Sequence, residues 1–143
     1  MRFTDDIVVT ASARTARASL FVDPGADYLR DHFPDAPMLP GLMMLEAAVR
    51  AAGELLRANQ PCIVEHSMLE RLERLHVLRR VAPGETFVVR TDMIGDVDAD
   101  RTATFSAVGS VAGNMAMRAR FQLRALTVER TDASKPRSEE VMS

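Results

Sequence analysis

The sequence predicts an α+β fold in which an antiparallel sheet packs against one buried helix. Three observations carry that expectation. Several runs alternate apolar and polar residues with period two. One stretch of strong helix formers is apolar almost all round. Turn residues separate the alternating runs at hairpin distances.

At 143 residues the chain fits one domain, and 47% hydrophobic residues suffice for a sizeable core. Eighteen basic and 20 acidic residues leave a net charge of −2, without the basic excess of a nucleic-acid-binding protein. A single cysteine, Cys62, excludes an intramolecular disulfide and a cysteine-cluster zinc site, and fits a reducing compartment. The first residues, MRFTDDIVV, carry two acids where a signal peptide needs a basic start and a long apolar run. The longest mostly apolar stretch, PMLPGLMMLEAAV, is interrupted by prolines, a glycine and a glutamate, and is too short to span a bilayer. A cytoplasmic protein with neither a nucleic-acid nor a membrane partner is therefore expected.

Taken in order, residues 7–12 and 17–22 read as two strands, the second closed by the turn Asp23-Pro24-Gly25. A helix follows Pro40 and runs through LMMLEAAVRAAGELLRA. From Leu42 to Val49 its only polar residue is Glu46, so most of its sides should be buried. Residues 68–78 carry leucines at 69, 72, 75 and 78, which is helical spacing, with charges between them. Residues 85–94 form a strand entered through Pro83-Gly84 and left through Gly95-Asp96. Residues 102–110 and 115–125 alternate around Gly113-Asn114, which predicts a hairpin. In the second run Phe121 and Leu123 share one face, and Arg118, Arg120 and Arg124 the other. The polar stretch 127–143 reads as a flexible tail, leaving residues 1–126 as the folded domain.

The chemistry concentrates in HFPDAPMLPGLMMLE, from His32 to Glu46. Prolines 34, 37 and 40 stiffen a loop that holds His32, and the chain enters the helix at Gly41. Free N–H groups and partial positive charge at a helix N-terminus can stabilise an anionic oxygen. Glu46 is the odd residue on an apolar face. An ionised carboxylate there is costly to bury, and burial favours the protonated form, so a carboxylic acid beside a neutral imidazole would suit paired acid–base work. Each residue alone has an ordinary structural explanation; the spacing makes them a set.

That stretch resembles the signature of the FabZ-type β-hydroxyacyl-acyl-carrier-protein dehydratases, roughly HFPGxPxMPGxxxxEAxAQ. His32, Phe33, Pro34, Pro37, Pro40, Gly41, Glu46 and Ala47 fall in register. ARASLFVDPGADYLRDHFP and LRRVAPGETFVV are similar to other parts of that family, and the likeness covers most of residues 1–126. The related FabA branch has aspartate where this chain has Glu46. Asp31, Asp35-Ala36 and Val49-Arg50 depart from the pattern, with Arg50 standing in place of glutamine, and the N-terminal segment is short.

The resemblance implies a hot-dog fold, a long helix wrapped by an antiparallel sheet, with residues 68–80 a strand rather than a helix. It implies a homodimer, or a trimer of such dimers, whose sites take histidine from one chain and carboxylate from the other. It implies removal of water from 3-hydroxyacyl thioesters, carried by acyl carrier protein or coenzyme A, in fatty-acid or related synthesis. His32 would take the C2 proton and Glu46 would protonate the departing C3 hydroxyl. The Gly41 N–H would polarise the thioester carbonyl, and the Met38 backbone carbonyl would orient the His32 ring. No metal or redox cofactor is called for. Alternatives are a hot-dog thioesterase and a non-catalytic acyl-binding subunit of a synthase. His66 and His76 lack a ligand pattern, Cys62 has no assigned base, and Met43, Met44, Met115 and Met117 are expected in the core or along an acyl tunnel. Arg79, Arg80, Arg118, Arg120 and Arg124 could face an acidic carrier protein, or could simply be a solvated strand face.

Overall fold

The computed structural model describes residues 7–25, 39–59 and 64–127. His32, Met38, Cys62 and the segment 128–143 lie outside the described residues. Strands β1 (Ile7–Ala11) and β2 (Thr15–Phe21) lead to helix α1 (Gly41–Ala58). Then come β3 (Val64–Val77), β4 (Thr86–Ile94), β5 (Thr102–Val111) and β6 (Asn114–Thr127). The strands form one antiparallel sheet in the order β1-β2-β4-β5-β6-β3. Its concave face wraps α1, as the α+β expectation and the resemblance both require.

The alternation read from the sequence is the physical reason for this sheet. Ala16, Ala18 and Leu20 of β2, Phe87 and Val89 of β4, Phe105 and Ala107 of β5, and Phe121 and Leu123 of β6 all turn inward and are buried. Phe105 and Phe121 stand opposite each other, their rings stacked with centroids 5.9 Å apart. On α1, Ala47, Ala48, Ala51 and Ala52 are fully buried. These small side chains let the sheet come close to the helix. Met43 and Met44 are buried here and Met117 in β6, whereas Met115 is half exposed.

The leucine-rich segment is a strand, against its helical spacing, and the pairing explains why. Leu69, Leu72 and Leu75 face Leu123, Phe121 and Ala119 of β6, which are two residues apart. Irregularities between Leu69 and Arg71 and between Leu72 and Arg74 each insert one extra residue, Glu70 and Glu73. Such bulges convert a sequence period of three into a structural period of two. The row of leucines therefore continues the inward face of β6.

The β5–β6 hairpin turns one residue earlier than expected. Val111 pairs with Asn114, so Ala112 and Gly113 are the loop, both with positive φ (51° and 82°). A two-residue loop with two positive φ values is the turn that favours Asn-Gly. Alanine is strained there. Ala112→Asn is expected to stabilise the protein by about 0.5–1 kcal/mol, read as a rise in the denaturant midpoint with an unchanged slope.

Candidate active site

Helix α1 begins at Pro40, whose extended backbone (φ −63°, ψ 145°) provides no side-chain cap, and the first turn holds no acid. Pro40 O accepts from Met43 N at 3.0 Å and Met44 N at 3.3 Å. The Gly41 and Leu42 N–H groups meet no acceptor among the described residues. They are the free donors that a helix N-terminus offers an anionic oxygen. This end is held in place. Leu39 N donates to Val81 O at 2.8 Å, and a Cβ on Gly41 would lie 3.2 Å from Val77 Cγ2. Glycine is thus what lets the end of β3 cross the start of the helix. Further along, Gly53 comes as close to Ser67, so α1 runs beside β3.

The sheet leaves one stripe of α1 open: Leu42, Glu46, Val49, Arg50 and Gly53 are exposed or half-buried, at helical spacing. Leu42 is 73% exposed. Beside this stripe, Leu69, Leu72 and Val77 on the inward face of edge strand β3 are also exposed. Leu42, Leu69, Leu72 and Val77 are thus large apolar side chains left exposed on this side of the chain, around the Glu46–Arg50 pair.

Glu46 is on that stripe. Its side chain is 35% exposed and its Oε2 is 3.5 Å from Nε of Arg50, one turn on. The expectation of a carboxylate enclosed by apolar neighbours thus does not hold among the described residues, none of which covers the stripe. The Arg50 partner was visible in the i,i+4 spacing, which is where opposite charges meet on a helix. The Glu46 side chain leaves the flank of the helix, whereas the Gly41 donor points out past its end.

Among the described residues no group of three His, Cys, Asp or Glu could hold a metal ion, and His66 and His76 lie apart on β3. No helix among them is long and apolar enough to cross a membrane. Arg120 and Arg124 project from the outer face of the sheet and pair with Glu73 (3.1 Å) and Glu70 (3.8 Å). Arg79 and Arg80 are exposed beyond the end of β3.

Residues 8–117 match the model of the ApeI-like family, described as ApeI dehydratase. This chain belongs to the ApeI-like dehydratase family. Among named relatives, the ApeI-like chain is 33% identical over 90 residues to a 3-hydroxyacyl-[acyl-carrier-protein] dehydratase FabZ of Psychromonas ingrahamii. The match takes in 62% of this chain and 59% of that relative's length. Its fold is similar to that of the dehydratase heterocomplex ApeI:P from Xenorhabdus doucetiae, with a TM-score of 0.58 and 20% identity over 82% of this chain and 94% of that one. A hypothetical thioesterase solved with coenzyme A from Streptococcus pneumoniae has a TM-score of 0.61 at 8% identity, covering 87% and 91% of the two chains. Those structural likenesses establish the hot-dog fold, which serves more than one chemistry.

Proposed function

We propose that this ApeI-like protein removes water from 3-hydroxyacyl thioesters, giving trans-2-enoyl thioesters in fatty-acid or related acyl-chain synthesis in the cytoplasm. The observation that carries the reading is the position of Glu46, a carboxylate set between Leu42 and Val49 on the stripe that the sheet leaves open. The named FabZ relative supports a thioester on acyl carrier protein as the substrate, with coenzyme A as the alternative carrier.

The chemistry needs three things. The C2 proton of a thioester is weakly acidic, so its removal needs a base and a stabiliser for the enolate-like oxygen. Hydroxide is a poor leaving group, so it needs an acid. His32 takes the C2 proton, with its ring oriented by the Met38 backbone carbonyl. The Gly41 N–H donates to the thioester oxygen as charge develops there. Glu46 delivers a proton to the C3 hydroxyl, directly or through a water. The C2–H and C3–O bonds break, a C2=C3 double bond forms, and water leaves. Neither metal nor redox cofactor has a part in these steps.

A second copy of the chain completes the site. Glu46 on the helix flank and Gly41 at the helix end face different directions, and the exposed row of Leu69, Leu72 and Val77 borders the open stripe. A copy placed there would cover the apolar surface and bring its own His32 loop to Glu46. Subunit mixing tests this. His32→Ala and Glu46→Gln are each expected to be nearly inactive alone. Dissociated and reassembled together, they should recover roughly a quarter of wild-type activity, because half the dimers are mixed and each mixed dimer holds one intact site of two. No recovery, with mixed dimers shown to form, would mean that both residues serve the site of their own chain. Failure to self-associate would instead require a different chain as partner.

A further inference from the structure

The register of the sheet brings into one row three arginines that are scattered in the sequence. On the outer face, Arg17 of β2 stands opposite Arg90 of β4, and Arg90 opposite Val108 of β5. Val108 in turn stands opposite Arg118 of β6, and Arg118 opposite His76 of β3. One line across five strands thus reads Arg17, Arg90, Val108, Arg118, His76, and every member is exposed. At a spacing of about 4.8 Å between strands, it runs for roughly 19 Å.

Two features set this row apart from an ordinary solvated face. First, like charges directly opposite one another in a sheet oppose its pairing, and here Arg17 faces Arg90 and the next line sets Arg74 against Arg120. Second, compensation is incomplete. Arg90 pairs with Asp92 at 3.2 Å, but Arg17 and Arg118 have no carboxylate partner among the described residues. This occurs in a chain whose net charge is −2, so the positive charge is gathered rather than general. A shallow depression of about 490 Å³ lies on the row, lined by Arg17, Val88, Arg90, Asp92, Val108 and Ser110. It sets apolar contact between the guanidinium groups.

We propose that this row is a docking strip for a partner protein that presents a line of carboxylates with an apolar side chain among them. The strip is on the face of the sheet opposite α1, so it is separate from the surface around Gly41 and Glu46 and does not depend on the proposed reaction. Protein carboxylates are favoured over a phosphate polyanion because Val108 interrupts the row and the depression sets apolar Val88 and Val108 among the arginines. A polypeptide with mixed side chains matches such a surface, and a uniform polyanion does not.

The test uses labelled poly-L-glutamate as the probe, with fluorescence anisotropy across a salt series and double-stranded DNA and polyphosphate as comparisons. Wild-type protein is expected to bind poly-L-glutamate more tightly than either comparison. Arg17→Glu with Arg118→Glu should weaken that binding at least tenfold and flatten its salt dependence, whereas Arg71→Glu with Arg79→Glu, off the row, should change it less than threefold. Arg17→Thr should raise the unfolding midpoint while weakening binding, because it relieves the Arg17–Arg90 opposition. Equal losses in the on-row and off-row variants would overturn the strip, as would unchanged binding in the on-row variant. Tighter binding of DNA or polyphosphate would overturn the choice of occupant. A lowered midpoint for Arg17→Thr would make Arg17 a structural residue instead.

Discussion

Glu46→Gln is expected to lower kcat by about 10²–10⁴-fold, with KM changed little, because the glutamine keeps the shape of the side chain and loses only its transferable proton. The loss should not come from unfolding. Glu46 and Arg50 are each more than a third exposed, at 35% and 38%, and an exposed i,i+4 pair contributes at most about 0.3–0.5 kcal/mol. Arg50→Gln separates the two roles of the pair. It removes the cation but leaves the carboxylate, and activity is expected to stay within tenfold of wild type. Initial rates of enoyl thioester hydration, with circular dichroism as a check on folding, make both comparisons. A loss below tenfold in Glu46→Gln would remove Glu46 from the chemistry.

The largest effect on stability is expected at Gly109. This residue lies in β5, and a Cβ there would come within 2.4 Å of both Cε1 and Cζ of Phe87 on β4. Phe87 is fully buried, so its ring can move away from the new Cβ only by displacing other core side chains or filling a void. Gly109→Ala should therefore destabilise the protein by about 1–3 kcal/mol, the usual range for overpacking, despite the lower chain entropy of alanine. For a domain of this size that is a fall in Tm of about 2–4 °C per kcal/mol. Phe87→Leu removes the ring edge that meets the new Cβ. A double-mutant cycle should then show favourable coupling between the two changes. An unchanged or higher midpoint for Gly109→Ala would mean that the ring yields without cost.

Strands β2, β4, β5 and β6 were legible because each has one face in water and one in the core, and that contrast is written directly into residue order. The helix was legible for a related reason: Leu42 to Val49 are apolar apart from Glu46. Strand β3 was not legible from its own residues. Its leucines recur every third position, and only pairing with β6, with Glu70 and Glu73 set aside as bulges, brings them to one face. The turn at Ala112-Gly113 was placed one residue late because the strained alanine gives no local signal.

At the site, the free donors at Gly41 followed from Pro40 opening the helix. The exposure of Glu46 did not follow, because an apolar stripe looks the same in sequence whether its own sheet or another chain covers it. Arg17, Arg90 and Arg118 are far apart in the chain, and only strand register makes them neighbours. His32 and Met38 rest on the resemblance in the His32–Glu46 stretch, and the subunit-mixing experiment addresses His32 directly.

The central claim is the reaction itself, and it is tested most directly by incubating the protein with a trans-2-enoyl thioester on acyl carrier protein or coenzyme A. Enoyl absorbance and free thiol are followed together. The account predicts loss of enoyl absorbance with no thiol released, and return of the enoyl signal when the 3-hydroxyacyl thioester is supplied instead. Thiol release without hydration would contradict it and make the protein a thioesterase. Tight binding of the acyl carrier with neither change, across several chain lengths, would contradict it equally and leave an acyl-binding subunit.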